Sequence, residues 1–216
     1  MRRVALIVAG GKGMRMNQPI PKQFLLIKGL PILMHTIKKF SHLDEIYLVL
    51  PETQFKYWEN LCIIHKFNHN YSLIAGGKTR FDSVKKGLRK IDENSIVAIH
   101  DGVRPLISTS LIDKLCNATK EGIGVIPIIK VKDSIRKIEE KKLISICRKN
   151  LYKVQTPQCF LSSEIKTAYN QNTAQNFTDD ASVFESNNGV INSILGDEKN
   201  LKITTEEDLL IAESII

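Results

Sequence analysis

Short apolar, β-branched runs recur at residues 4–8, 46–50, 71–74, 96–99 and 125–129, with helically spaced segments between them. In residues 32–40, for example, Ile32, Leu33, Thr36, Ile37 and Phe40 fall on one face. Further helical segments are expected at 54–65, 80–88 and 110–118, and a last one begins after Thr204 or Thr205 with Glu206, Glu207 and Asp208 in its first turn. A continuous apolar run suits a strand buried on both faces, and a parallel partner strand needs a helical crossover. This alternation implies an α/β fold: a mainly parallel twisted sheet with helices on both faces. At 216 residues the chain is expected to form a single domain, 1–216.

The alternation breaks at 130–150, where charged residues are interleaved with Val131, Ile135, Ile138, Leu143 and Ile146. Glu139-Glu140-Lys141-Lys142 is polar enough to be the turn of a hairpin. A two-stranded ribbon alone is marginal in water, so this β-arm insertion needs something to lie against. A second subunit and its own domain are equally open on the pattern.

The first apolar run ends in Gly10, Gly11, Lys12 and Gly13, followed by Arg15 and by Lys22 behind Pro21. Glycines let a backbone approach an anion, and successive bare N–H groups make an anion nest. Arg15 and Lys22 add positive charge, the layout of a site that holds a polyphosphate and neutralises charge developing on it. Met16 stands where a dinucleotide fingerprint needs Gly or Ala, and no Gly-Lys-Ser/Thr closes a P-loop here. A plain strand-to-helix turn with solvated charges is the alternative. Gly76-Gly77-Lys78-Thr79 ends like a P-loop, but Ser72 occupies the position of its first glycine. Its backbone and Ser83 could read the edge of a base, or Thr79 could simply cap a helix.

Asp101 follows the run 96–99, a strand end suited to meeting a metal or a ligand hydroxyl, and Arg104 offers a planar fork for phosphate. The plainer reading pairs Asp101 with Arg104 and makes His100 a buried strand-end histidine. Thr178 with Asp179 and Asp180 reads as a helix start capped by Thr178. Lys202 is expected in a late strand, facing solvent or the cleft of the glycine loop.

Composition narrows the classes. No segment reaches the ~18 apolar residues of a membrane span, and the N-terminus lacks the form of a signal peptide. Cys62, Cys116, Cys147 and Cys159 have no CxxC spacing, which suits reduced thiols in the cytoplasm and argues against structural zinc. His65 and His69, four apart, could share a helix face, but without a carboxylate partner they make a poor metal site. The net charge is +8 without a run of five basic residues, and aromatic content is 6%. Neither a base-stacking platform nor a nucleic-acid partner is expected.

Residues 9–16, Pro21-Lys22-Gln23-Phe24, residues 76–84, His100 to Pro105, Gln155-Thr156-Pro157-Gln158, residues 178–182 and Asn200 to Thr204, in this order, span almost the whole chain. The ordered set resembles the 2-C-methyl-D-erythritol 4-phosphate cytidylyltransferases of the non-mevalonate isoprenoid pathway, and the length fits the monofunctional form. The resemblance implies a Rossmann-like sheet with a protruding β-arm hairpin, and transfer of CMP from CTP to methylerythritol phosphate. It implies Arg15 and Lys22 as stabilisers of the transition state, with Arg148 and Lys202 positioning the acceptor. CTP would be held by Gly10, Gly11, Lys12, Gly13, Gly77, Ser83 and Gly102. Asp101, Arg104, Ser134, Thr156 and Thr178 would line the acceptor pocket. Magnesium would be held mainly through the CTP phosphates, with Asp101 as the one candidate protein ligand. The arm would reach across a homodimer, so that Arg148 and Thr156 serve the partner's site. A ribitol 5-phosphate cytidylyltransferase and a non-catalytic nucleotide-binding module are the rival readings.

Overall fold

The computed structural model describes residues 1–10, 20–172 and 177–216. Strand β1 (Arg2–Val8) lies between β4 (Glu45–Leu50) and β6 (Ser95–Asp101), parallel to both. β5 (Ser72–Ala75) extends the sheet beyond β4, also in parallel. On the far side of β6, β11 (Gln158–Leu161) runs antiparallel. Then comes β7 (Ile123–Lys130), which β10 (Tyr152–Val154) joins antiparallel and β12 (Val190–Leu195) joins parallel. The sheet is therefore mainly parallel, as the alternation of runs implies. The strands expected at 4–8, 46–50, 71–74, 96–99 and 125–129 are all present, their bounds within two residues of those expected.

Side-chain alternation divides the core between the two faces of this sheet. From β1, Ala5 and Ile7 pack with α1 (Ile32–Lys39), with Trp58 of α2 (Phe55–Ile64) and with α4 (Thr109–Ala118). Val4, Leu6 and Val8 pack on the opposite face with α3 (Arg80–Leu88), α5 (Ser162–Gln171) and α6 (Asp180–Glu185). In β6, Val97 and Ile99 face that second layer, and the period of two sends Asp101 the same way. A third, smaller cluster joins Ile27 of the short hairpin β2 (Leu26–Ile27) and β3 (Leu30–Pro31) to Ala212 of α7 (Glu206–Ile215).

Local chemistry explains several helix starts. Thr79 and Thr205 each form a capping box, with Asp82 and Asp208 respectively, and Ser108 caps α4. Two expectations are corrected. Asp179, not Thr178, caps α6: the helix begins at Asp180, and the Asp179 carboxylate accepts from the Ser182 N–H at 3.0 Å. α2 ends at Ile64, so His65 is its C-cap and His69 lies in the following loop, stacked on Phe67. The two histidines share no helix face.

Residues 135–146 form a separate ribbon, β8 (Ile135–Glu139) and β9 (Lys142–Ile146), paired antiparallel only with each other among the described residues. Glu140 and Lys141, both at positive φ, make its two-residue turn.

Candidate active site

The chain passes from β5, on one flank of β1, to β6 on the other. The order of strands thus reverses at the carboxyl ends of β1 and β6, where open α/β sheets hold ligands. A cleft opens there, lined by Gly10, Lys22, Gln23, Gly77, Thr79, Arg80, Ser83, Asp101 and Lys202, among others.

Three elements build its wall. A 3-10 turn (Lys22–Phe24) follows Pro21, whose φ of −55° suits its start. Gln23 is buried and donates from Nε2 to the Ala9 carbonyl at 2.9 Å and to Gln54 Oε1 at 2.8 Å. Phe24 stacks on Trp58. With its neighbours anchored inward, Lys22 is left on the cleft wall.

The second element is the turn before α3. The Gly77 N–H donates to Ser83 Oγ at 3.0 Å, and that hydroxyl donates to the Thr79 carbonyl at 2.9 Å. A Cβ at position 77 would meet the Asp82 Cβ at 2.2 Å, so only glycine allows this approach. Thr79 caps the helix, and Gly77 and Ser83 remain on the cleft wall, so both readings of this segment hold in geometry.

The third element is Asp101. Its Oδ2 accepts from Arg104 Nε at 3.2 Å and lies 3.0 Å from Lys202 Nζ, while Oδ1 lies 3.6 Å from Arg80 Nε. Burial alone would raise its pKa, but Arg80, Lys202 and Arg104 outweigh it and hold the carboxyl well below the usual carboxylate range. Arg80 spends both terminal nitrogens on Asp180, at 2.8 and 2.7 Å, and Tyr169 donates its hydroxyl to Asp180 Oδ1 at 2.6 Å. Burial would lower the Arg80 pKa; the buried Asp180 partner reverses this and raises it. Three cations meet the two carboxylates Asp101 and Asp180, and Lys22 and Lys78 add to the positive charge of the wall, which so favours an anionic ligand.

Behind Asp101, His100 is fully buried and its pKa is pushed down to about 4 by desolvation. Its Nε2 faces the Arg104 carbonyl at 3.1 Å, which can only accept, so Nε2 carries the proton. Nδ1 then accepts from Thr156 Oγ1 at 2.9 Å, and that oxygen accepts from the Asp101 N–H at 3.1 Å. His100 is thus the strand-end histidine of the plainer reading, and buried Thr156 is a brace for Asp101. Arg104 Nη1 donates to the Asn200 carbonyl at 2.9 Å, and Asn200 Nδ2 donates to the Thr156 carbonyl.

Of the sequence-predicted residues, the cleft brings together Gly10, Lys22, Gly77, Ser83, Asp101 and Lys202, with Arg104 paired to Asp101. Gly11, Lys12, Gly13 and Arg15 lie outside the described residues. Gly102 adjoins the site, but its N–H donates to the Val8 carbonyl and its carbonyl accepts from Thr36. Its N–H is spent inside the sheet. The lack of a side chain serves packing, since a Cβ would meet the Ala9 Cβ at 2.6 Å. Lys202 lies in a loop, not the expected strand, and the Ile203 N–H donates to the Val103 carbonyl. Thr178 is exposed, beside the anchored Asp179 and Asp180. Ser134 and Arg148 lie at the base of the arm, exposed and absent from the cleft wall. Arg148 donates to the Lys132 carbonyl.

Sequence reasoning passed over Gln23, Arg80, Asp180 and Asn200. All four stand inside segments that the sequence singles out, so only their geometry is hidden. Nothing local pairs Arg80 with a residue 100 positions away.

Fold and cleft together define an α/β protein with an anion-receiving cleft at its switch point. The family model described as IspD, 2-C-methyl-D-erythritol 4-phosphate cytidylyltransferase, matches residues 3–216. A curated 2-C-methyl-D-erythritol 4-phosphate cytidylyltransferase of Azobacteroides pseudotrichonymphae is 46% identical over 219 residues, covering 100% of this chain and 99% of that protein. One of Porphyromonas gingivalis is 42% identical, covering 100% and 98%. The crystal structure of the 4-diphosphocytidyl-2C-methyl-D-erythritol synthase of Anaerococcus prevotii superposes with a TM-score of 0.83 at 30% identity, covering 99% of this chain and 95% of that one. The Francisella tularensis 2-C-methyl-D-erythritol 4-phosphate cytidylyltransferase gives 0.84 at 27% identity, with full coverage of both chains. The chain belongs to the 2-C-methyl-D-erythritol 4-phosphate cytidylyltransferase family.

Proposed function

We propose that the protein transfers the cytidylyl group of CTP to 2-C-methyl-D-erythritol 4-phosphate, giving 4-diphosphocytidyl-2-C-methyl-D-erythritol and pyrophosphate. The observation that carries this reading is the cleft itself, which presents two separately anchored sets of cations. Lys22 stands on the side of the glycine-ended strand, and Lys202 stands with the arginines around Asp101. A reaction between two phosphate-bearing substrates needs two such sets. An acceptor phosphate oxygen attacks the α-phosphorus, the bond from that phosphorus to the bridging oxygen breaks, and pyrophosphate departs with the electron pair. The acceptor oxygen is already ionised, so no general base is required. Lys22, with Arg15, neutralises charge that grows on the α-phosphate oxygens, and Arg148 and Lys202 position the acceptor. Asp101, Arg104, Ser134, Thr156 and Thr178 line or brace the acceptor side. Gly10 to Gly13, with Gly77 and Ser83, receive CTP.

The donors on the wall fit a magnesium ion held chiefly by triphosphate oxygens. Asp101 supplies one carboxylate, of which Oδ1 accepts no hydrogen bond among the described residues, and one carboxylate with substrate phosphates is the usual magnesium set. Bound there, the ion would neutralise triphosphate charge.

We further propose a single domain that works as a homodimer through the arm. Ile138 and Leu143 are 72% and 64% exposed on a ribbon that has no partner sheet among the described residues, and Arg148 and Ser134 stand off their own cleft. The thiols of Cys62, Cys116, Cys147 and Cys159 are free, which suits the cytoplasm. No described helix is long and apolar enough to cross a membrane.

Pyrophosphate release measured with CTP and each of two acceptors tests the reading. Faster turnover with methylerythritol phosphate is expected. Faster turnover with ribitol 5-phosphate would replace the acceptor, and no release with either would leave the nucleotide-binding module.

A further inference from the structure

The three cations around Asp101 are not held alike. Arg104 is tied to the Asn200 carbonyl and Arg80 to Asp180, both arginines through a second, fixed partner. Lys202 has an ammonium on a flexible stem, its side chain is 41% exposed, and its ion pair is with Asp101 Oδ2 at 3.0 Å. Lys202 is therefore the cation of this trio best able to leave the carboxylate for an incoming phosphate. How readily it leaves depends on the fixed positive charge that remains at Asp101. Arg80 supplies that charge at Oδ1, 3.6 Å away, on the oxygen that neither Arg104 nor Lys202 uses.

We infer that Arg80, oriented by Asp180, is a positioning residue that loosens the hold of Asp101 on Lys202 and so keeps Lys202 available to the acceptor phosphate. The inference rests on the proposed role of Lys202. The local structure suits the task. Asp180 is fully buried on α6, accepts both arms of the guanidinium fork and is braced by Tyr169. The fork is thereby turned away from Asp101, and only the Nε edge faces the carboxylate. A bidentate pair with Asp101 would place the charge closer, so Asp180 also limits how far Arg80 compensates it.

The two halves of this clamp make opposite predictions. Arg80→Gln removes the compensating charge, Asp101 retains Lys202 more tightly, and KM for the acceptor phosphate rises by ~10-fold, the scale of one charge within about 4–6 Å. KM for CTP stays within about twofold. Asp180→Asn frees the fork to turn toward Asp101, so acceptor KM stays level or falls. A purely structural ion pair would make both variants behave alike, since each breaks the same contact. Adding Lys202→Ala to Arg80→Gln should raise acceptor KM little beyond Lys202→Ala alone, because Lys202 is already withheld.

Steady-state kinetics with CTP and methylerythritol phosphate on wild type, the three single variants and the double variant test this. Acceptor KM raised in Arg80→Gln but not in Asp180→Asn supports the inference. Parallel increases in both, or no change in Arg80→Gln, overturn it. If Arg80→Gln fails to fold, Asp180→Asn decides alone: a raised acceptor KM overturns the inference, a level or lowered one supports it. Should Lys202→Ala leave acceptor KM unchanged, the role given to Lys202 fails instead.

Discussion

The cleft wall and the β-arm carry proposed site residues under opposite physical conditions. In the cleft the buried polar groups are fixed by partners from several elements: Asp101 on β6 meets Arg80 of α3, Lys202 of a late loop and, through its N–H, Thr156. On the arm the strands pair, among the described residues, only with each other, and large apolar side chains are exposed. The contrast teaches that the chain spends its own packing on one half of the site. The other half, with Arg148 and Ser134, stands exposed at the base of the arm, where the proposed second subunit would complete it.

Perturbations should separate the two regions. The largest expected effect is on stability at the base of the cleft. An unfolded histidine takes up its proton below about pH 6.5, but folded His100 refuses it until about 4. Stability is therefore full above 6.5 and falls as pH drops through that window, by roughly 3 kcal/mol in all. Asp101 adds nothing there, because its depressed pKa matters only below the ordinary carboxylate range. Chemical denaturation from pH 7.5 to 4 should show that slope, flattened in His100→Gln. An equal slope in the variant would reassign it, His35 being a second histidine with a pKa lowered by burial.

Next in size is Lys22→Ala. Its kcat should drop by ~100-fold or more, the scale for losing one electrostatic stabiliser, with little change in melting temperature. Near-normal turnover would remove Lys22 from the chemistry. Gly77→Ala should follow, because the new methyl must displace the α3 cap at Asp82. A loss of about 2 kcal/mol is expected on the scale of overpacking, together with a raised KM for CTP. The smallest effect belongs to the arm. Leu143→Ser should change the stability of the single chain by less than ~0.5 kcal/mol, as for other exposed positions. It should nonetheless shift the oligomer equilibrium in sedimentation. A clear loss of chain stability would show that the arm packs on its own domain.

What the sequence made legible follows from range. β1, β4, β6 and β7, the bounds of α3 and the cap at Thr205 depend on residues within a few positions of one another, and each was readable. The antiparallel β11 is four residues long, the edge strand β12 is largely exposed, and their pairing with β6 and β7 is set by tertiary contact alone. The Arg80–Asp180 fork joins residues far apart in sequence, so no spacing announced it. Lys202 was placed in a strand because aliphatic residues flank it. Arg104 instead holds the Asn200 carbonyl and Val103 pairs with Ile203, which fixes a loop over the cleft. Nor does the sequence announce that the sheet continues one residue past β6 and takes up the Gly102 N–H.

The account's central claim is that one chain's fixed cleft and a second chain's arm together perform cytidylyl transfer. Mixing two impaired variants, Arg148→Ala and Lys202→Ala, tests it most directly, with pyrophosphate release from CTP and methylerythritol phosphate as the readout. If Arg148 serves the partner's site, each mixed dimer has one intact and one doubly impaired site. After subunit exchange the mixture should recover about a quarter of wild-type activity, since half the dimers are mixed in a twofold-symmetric assembly. Activity no higher than the average of the two variants would contradict the claim and return Arg148 to its own chain.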